Sequence, residues 1–465
     1  MKKFNLILLF ILLINFQVIY SQSWSSLGSG LEYPVNSLVY FNGSIYAGSD
    51  LVYQWDGNIW NVVNEDNSMK GLFGATEIDA MAVNNNTLFV GGIFFVLTPD
   101  QDWYNYAAKL YNGSWTTCGS GLGNDGWCMD GYPYAMVSYG GNLYAGGTFQ
   151  SAGGDPLNPQ TAMYIAQFDG SYWYPVGSGL NEHITDMTIY NDQLIVSGYF
   201  TEAGGIEANY IAAWDGSSWH ALGSGMAKPY TCKVTALAVH NGNLYAGGLF
   251  DTAGNQPATN IAEWDGTKWS AVGNGINGQV FTLASYNGIL YAGGNFNTNT
   301  GGPGNYITKW DGVQWSSVGG GTDGPVYFFL VQDNKLYTGG GFSTAGDQPA
   351  KNIAVWSENA SSVKNKIKTT PDKFYLYQNY PNPFNPATNI KFQIPESGFV
   401  SLKVYNALGK EVVTLVNEEK PAGFYEIKWN AGNLPSGVYL YRIKTEFAGG
   451  KTGNYIKTNK MLLLK

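Results

Sequence analysis

Through most of the chain, apolar and aromatic residues gather in strand-length runs separated by glycine, asparagine and aspartate, and no helical periodicity of 3.6 residues appears. The runs repeat. An apolar-aromatic pair leading into glycine has its aromatic, or an apolar equivalent, at Tyr46, Phe89, Tyr144, Ile195, Tyr245, Tyr291 and Tyr337, which stand 43, 55, 51, 50, 46 and 46 residues apart. A second run ends at Trp55, Tyr111, Phe168, Trp214, Trp264, Trp310 and Trp356, in most copies just ahead of Asp-Gly. A third signature is a Trp that usually leads into an apolar-Gly-x-Gly step, at Trp24, Trp60, Trp115, Trp173, Trp219, Trp269 and Trp315. Each occurs seven times. A period of this length, with glycine pairs and an aromatic in every hairpin, predicts the blades of a β-propeller.

The clearest copy divides into four strand-sized pieces, A at 234–240, B at 243–250, C at 260–264 and D at 268–272. Asn241-Gly242 between A and B suits a two-residue hairpin, because both central positions need positive φ. Asp265-Gly266 is expected to do the same between C and D. The repeated Trp and Tyr positions are expected to stack between neighbouring sheets. The chain opens its repeats with a lone D piece at Trp24 and closes them after Trp356 with no D piece. Borrowing the outer strand from the N-terminus removes an exposed sheet edge. The expected fold is therefore all-β: a seven-bladed β-propeller with an N-terminal closing strand, plus a small C-terminal β-sandwich.

The order of glycine pair, aromatic-Asp turn and Trp resembles the kelch-type propeller repeat. The fuller phrase with Phe250, Ala253-Gly254 and Ile261-Ala262 is similar to repeats of bacterial surface proteins and fungal cortical marker proteins. The resemblance covers roughly 24–356 and departs from kelch at Gly266, where proline is frequent. It implies fold more than activity, since propellers serve binders and enzymes alike.

Residues 1–21 carry Lys2-Lys3, an apolar run and a small residue at Ser21, the pattern of a secretory signal peptide. No other stretch is long and apolar enough to span a bilayer as a helix, so no transmembrane segment is expected in the mature chain. Between 22 and 357 there are 8 Lys, no Arg and 26 acidic residues, a balance that argues against nucleic acid and against anionic ligands held by arginine. Of three cysteines, Cys118 and Cys128 are close enough in sequence to close a short loop, and isolated buried thiols are the alternative.

A polar, basic run breaks the repeat, so the expected organisation is a signal peptide at 1–21, propeller at 22–357, linker at 358–371 and sandwich at 372–465. Strands are expected at 390–394, 400–405, 411–416, 423–429 and 438–444. This last domain resembles the type A C-terminal sorting domain of type IX secretion. The matching residues are Tyr380, Pro381, Asn382, Pro383 and Phe384, then Val404-Tyr405-Asn406 with Leu408-Gly409-Lys410, then Leu434 to Tyr439 including Gly437, and a basic-ended tail at 460–465. The resemblance implies the type IX secretion machinery as a partner, passage across both membranes, and removal of the domain with release or attachment to surface lipopolysaccharide.

Candidate chemistry is sparse. His183, His220 and His240 fall on strand pieces that do not converge, so no metal or other cofactor is implied. Glu77, Asp79, Glu182 and Asp186 begin or flank A pieces and point toward the central channel, where a carboxylate pair would cut glycosidic bonds. Asn124, Asp125 and Asp130 lack the glutamate that closes an EF-hand loop. The variable B–C and D–A connections, read as loops at 93–107, 119–133 and 150–164, share one face and gather aromatics: Trp103, Tyr104, Tyr106, Trp127, Tyr132, Tyr134 and Tyr230. Trp103, Tyr104 and Trp127 are the candidate ligand-binding residues, suited to neutral glycan or another surface polymer. A secreted binding module is the favoured function, and a polysaccharide-active enzyme using the channel carboxylates is the alternative.

Overall fold

The computed structural model describes residues 22–63, 69–70, 76–97, 103–111, 113–118, 131–155, 158–229, 231–297, 304–358, 374–379, 382–446 and 455–464. Residues 1–21, nearly all of 358–371, Asn124, Asp125, Trp127, Cys128, Asp130, Tyr230, Tyr380 and Pro381 lie outside them. The described residues fall into two compact units, within 20–360 and within 361–465.

The first unit holds seven sheets with a common antiparallel meander. In blade 5 the order is Lys233–His240, Asn243–Leu249, Ile261–Trp264, Trp269–Ala271. The other inner strands are Ser37–Phe41, Glu77–Asn84, Pro133–Tyr139, Ile184–Tyr190, Gln279–Tyr286 and Val326–Gln332. Each packs against the next, and the last packs against the first. Blade 7 takes its outer strand from the chain start: Gln22–Ser26 pairs with Ile353–Glu358, placing Trp24 opposite Trp356. All seven A–B turns carry positive φ at both central residues, as at Asn241 (49°) and Gly242 (82°).

The C–D turn differs from expectation. Four residues, 265–268, separate Trp264 from its partner Trp269, and of Asp265 and Gly266 only the glycine has positive φ. Asp265 Oδ1 instead accepts the backbone N–H groups of Thr267 and Lys268 at 2.8 and 3.0 Å, an Asx-type cap that asks for aspartate on other grounds than a two-residue turn does. Asp56, Asp169, Asp215 and Asp311 cap the same turn in their blades.

The glycine pair has two separate reasons. A Cβ on Gly247 would stand 2.6 Å from Val280 Cγ1 of the next blade, and one on Gly339 2.6 Å from Val35 Cγ1, so the first glycine lets a neighbouring blade seat a branched side chain on bare backbone. A Cβ on Gly248 would stand 2.2 Å from the Lys233 carbonyl of its own inner strand. The repeated outer Trp has an equally specific task. Each of the seven donates its indole N–H to a carbonyl of the preceding blade, from Trp60 on Leu27 O and Trp269 on Leu222 O to Trp24 on Val318 O, at 2.8–3.4 Å. The ring contacts these Trp residues make differ from the expected stacking between sheets: they fall within a blade and are tilted, as between Trp264 and Trp269 at 5.3 Å and 46° and between Trp24 and Trp356 at 5.1 Å and 56°.

Several stretches read as loops are strands. Thr87–Leu97 and Trp103–Tyr111 pair as far as Leu97 opposite Trp103, and Ser151–Asp155 pairs with Asn158–Thr161. Similar small hairpins follow the B strands of blades 4, 5 and 7. Their turn glycines lie against the outer Trp: Gly204 on Trp219, Gly254 on Trp269 and Gly346 on Trp24.

The second unit is a sandwich of two antiparallel sheets. One has Tyr375–Leu376, Ala387–Ile394 and Gly423–Asn430; the other has Glu411–Lys420, Gly398–Asn406, Gly437–Glu446 and Tyr455–Leu463 in that order. The final strand was not expected. Its Met461 and Leu463 are fully buried in a core with Val400, Leu402, Val404, Tyr441 and Ile443.

Candidate functional site

Six inner strands carry a β-bulge near their start, at Asp79, Tyr134, Thr185, Thr235, Phe281 and Tyr327, where the register skips one residue. Asn36 stands at the corresponding place just ahead of the blade 1 strand, its N–H bonded to Gly48 O. A bulge re-aims one side chain without disturbing the rest of the strand. Here the apolar residue before each bulge, such as Ile184, Val234 or Val280, is fully buried between blades. The bulged residue faces the axis. All seven line one cavity of about 350 Å³ at the end of the channel where the B–C and D–A connections emerge.

The lining is divided by chemistry. On blades 1 and 2, Asn36 Nδ2 donates to Asp79 Oδ1 and to Glu77 Oε1, each at 3.1 Å. Tyr327 and Phe281 stand on one side, with ring centroids 5.8 Å apart. Tyr134 stands on the other, 5.1 Å from Tyr132 and hydroxyl to hydroxyl at 3.1 Å. On blades 4 and 5, His183 stacks on Tyr199 at 4.2 Å, and Lys233 Nζ donates to the Tyr199 hydroxyl at 2.8 Å. Thr185 and Thr235 turn their hydroxyls to the next blade, donating to Val234 O at 2.6 Å and to Val280 O.

Two carboxyls in the cavity are shifted. Burial, reinforced by the charge of Glu77 and opposed by the Asn36 hydrogen bond, pushes Asp79 up to about 7. Burial likewise pushes Asp186 up to about 7, against the N–H groups of Leu237 and Met187 that bond it at 2.6 and 2.8 Å. Both touch channel space, yet protein surrounds them closely, so few waters remain to stabilise the charge. Asp186 spends both oxygens on backbone, one of them in the next blade, and so clips blades 4 and 5 together. Glu77 and Glu182 remain at the rim; His183 Nδ1 lies 2.8 Å from Glu182 Oε1, and its hydrogen bonds hold that carboxyl below the usual range.

The three histidines occupy three places: His183 at the channel mouth, His220 on an outer strand 2.7 Å from Asp215, and His240 buried at the far end of its inner strand. Trp103 and Tyr104 lie, at the level of the backbone, on the blade 2 hairpin that leaves the channel-mouth face. Cys118 is fully buried, which pushes its thiol up to about 12, and its carbonyl accepts the Trp173 indole.

In the second unit the chain end is bound in on both sides. Tyr455–Leu463 pairs with Gly437–Glu446 along its length, while Phe384 N donates to Leu462 O and Leu464 N to Phe384 O. Residues 378–456 match the secretion system C-terminal sorting domain. The protein is thus exported by type IX secretion, to the cell surface or beyond it. A comparison of the sequence with curated proteins finds no match. Among solved structures, the extracellular domain of a one-component system from B. thetaiotaomicron is similar at 13% identity and a TM-score of 0.47, over 92% of this chain and 52% of that one. BamB from Moraxella catarrhalis is similar at 12% identity and a TM-score of 0.35, over 74% of this chain and 99% of its own. The chain spans about half the length of the first of these.

Within the sorting domain the motif residues have structural work. Asn382 Oδ1 accepts the Leu462 N–H at 2.8 Å and precedes a cis Pro383. Gly409 adopts φ of 77° in a turn that Asn406 Oδ1 caps through Leu408 N and Lys410 N. Gly437 starts its strand at φ of 152°, and buried Tyr439 donates its hydroxyl to Pro435 O at 2.8 Å.

Proposed function

We propose that the protein is a displayed or released binding propeller that recognises a neutral, polyhydroxylated ligand, a glycan or similar surface polymer, at the mouth of its central channel. The observation that carries this reading is the convergence on a single cavity of one residue from each blade, bulged in six of the seven. Its about 350 Å³ falls within the roughly 300–1,000 Å³ usual for ligand pockets. Tyr134, Phe281 and Tyr327 offer faces for sugar C–H groups, and Asn36, Asp79 and the rim group Glu77 offer hydrogen bonds to hydroxyls. The blade 2 hairpin with Trp103 and Tyr104, and the later segment with Trp127, would extend the contact beyond the channel. The N-terminal segment 1–21 would supply export across the inner membrane, and the repeat is of kelch-like type in its order of glycine pair, Asp turn and Trp.

A glycan array with the full chain tests the reading. Truncating a central aromatic anchor costs about 2 kcal/mol or more, roughly thirtyfold in affinity. Tyr134→Ala and Phe281→Ala should each lose binding on that scale, and Trp103→Ala with Trp127→Ala should weaken longer ligands more than short ones. Absence of any carbohydrate binding would remove it. The presence of both Asp79 and Asp186 in one cavity, each near 7, favours one second reading, a glycoside hydrolase. Polysaccharide cleavage that disappears in Asp79→Asn would establish it.

A further inference from the structure

At the opposite end of the ring, each inner strand finishes on a side chain next to the following blade. In blades 3 and 6 that residue is tyrosine: Tyr139 donates its hydroxyl to Asp192 O at 2.9 Å, and Tyr286 to Asn334 O at 3.0 Å, both in the next A–B turn. Tyr190 of blade 4 brings its hydroxyl beside Gly266 in the C–D turn of blade 5. Blade 5 has His240 at this place. Its shorter ring bonds to the inner strand of blade 6, with Nδ1 2.8 Å from Ser285 Oγ, and to its own turn, with Nε2 2.9 Å from Asn241 Nδ2. A cavity of about 210 Å³ opens between blades 5 and 6. Gly288 and Gly312, from the turns that a tyrosine would meet, form its far wall.

The remaining walls have one electrostatic sign. Glu263 accepts the side-chain N–H of Asn243 and the Tyr245 hydroxyl, and Asp311 accepts the N–H groups of Val313 and Gln314 at 2.8 Å. Those N–H groups hold the Asp311 carboxyl below its usual range. Burial lowers His240 to about 4, which leaves its imidazole neutral at neutral pH. Tyr245 and Trp310 add aromatic surface; among the described residues neither Lys nor Arg lines the space, and Lys309 acts on Asp311 only as a nearby charge. Two carboxylates with two aromatic rings favour a compact cation over a neutral or anionic guest.

We propose that this cavity between blades 5 and 6 is a binding site for a small organic ammonium ion, created by histidine standing where blades 3, 4 and 6 carry tyrosine. It lies at the other end of the propeller from the channel mouth and does not rest on the glycan reading. Titration calorimetry of the full chain with tetramethylammonium, ethanolammonium and the neutral near-isostere tert-butanol tests it. The cations should bind saturably and tert-butanol should not. His240→Tyr refills the space with the phenol the fold already accommodates in blades 3 and 6, and should abolish binding. Glu263→Gln, which fills nothing, should weaken it by about tenfold or more. Thermal melts confirm that each variant is folded, and Tyr134→Ala should keep ammonium binding intact. Equal binding of tert-butanol, retention of binding in folded His240→Tyr, or no saturable binding of either cation would overturn the assignment.

Discussion

Replacing Trp24 by alanine tests the closure of the ring at its most exposed point in the sequence. Trp24 is 6% exposed, packs at a tilt against Trp356 at 5.1 Å and donates its indole N–H to Val318 O at 3.2 Å. Truncating a buried Trp costs about 3–5 kcal/mol, and the lost hydrogen bond about 1 kcal/mol more. At roughly 2 °C per kcal/mol or somewhat less for a unit this long, the melting temperature should fall by about 5–10 °C. Ordinary surface positions stay within about 0.5 kcal/mol. Scanning calorimetry on the full chain, followed by urea unfolding, gives the comparison, with Trp269→Ala as the interior equivalent and Trp24→Phe separating the hydrogen bond from the apolar body. Trp24→Ala and Trp269→Ala should cost the same within about 1 kcal/mol. A Trp24→Ala melt within about 2 °C of the unaltered protein, alongside a damaged Trp269→Ala, would refute the reasoning.

Gly339→Ala should destabilise the propeller by about 1–3 kcal/mol, because the added methyl meets Val35 across the seam; paired with Val35→Ala, calorimetry should show part of the loss recovered. Asp79 and Asp186 both have folded values near 7 against an ordinary 3.8, so folding favours their protonated forms. Their contribution is fully present below about pH 4 and is lost as pH rises through 7, and melts across that window should show a decline that Asp79→Asn makes shallower. Deleting 460–465 removes Met461 and Leu463 from the sorting-domain core, so fractionation should find the shortened protein in the periplasm.

The repeat, the blade number and the borrowed strand were legible because each rests on residues with no substitute: paired positive-φ turn residues, glycine under a neighbouring blade, and an indole that must reach a carbonyl. The channel lining was harder to see. A bulge inserts one residue into a period-two pattern, and hydrophobic alternation alone does not mark which residue has been turned. A usable signal did exist, since Asn36, Asp79, Tyr134, Thr185, Thr235, Phe281 and Tyr327 each stand 12 residues before the first member of the glycine step, at Gly48, Gly91, Gly146, Ser197, Gly247, Gly293 and Gly339. That offset is constant because strand, two-residue turn and return strand have fixed register. The B–C hairpins of blades 4, 5 and 7 are hidden from the sequence because two-residue strands show no periodicity. The final strand of the sandwich was missed for a related reason: from Tyr455 to Lys460 its side chains are only partly buried or exposed, and apolar burial begins at Met461.

The seam also sets a schedule. Trp24 emerges early from any pore the chain threads N-terminus first, and its partner Trp356 emerges 332 residues later. Six blades are local meanders that can pair as they appear, whereas the seventh waits for a strand that left the pore long before. Until residues 353–358 arrive, no circle exists, only a curved stack with loose ends. Closure of the ring therefore rests on five residues near the start of the repeats pairing with a strand far along the chain, and a chain ended before residue 353 leaves Gln22–Ser26 without that partner.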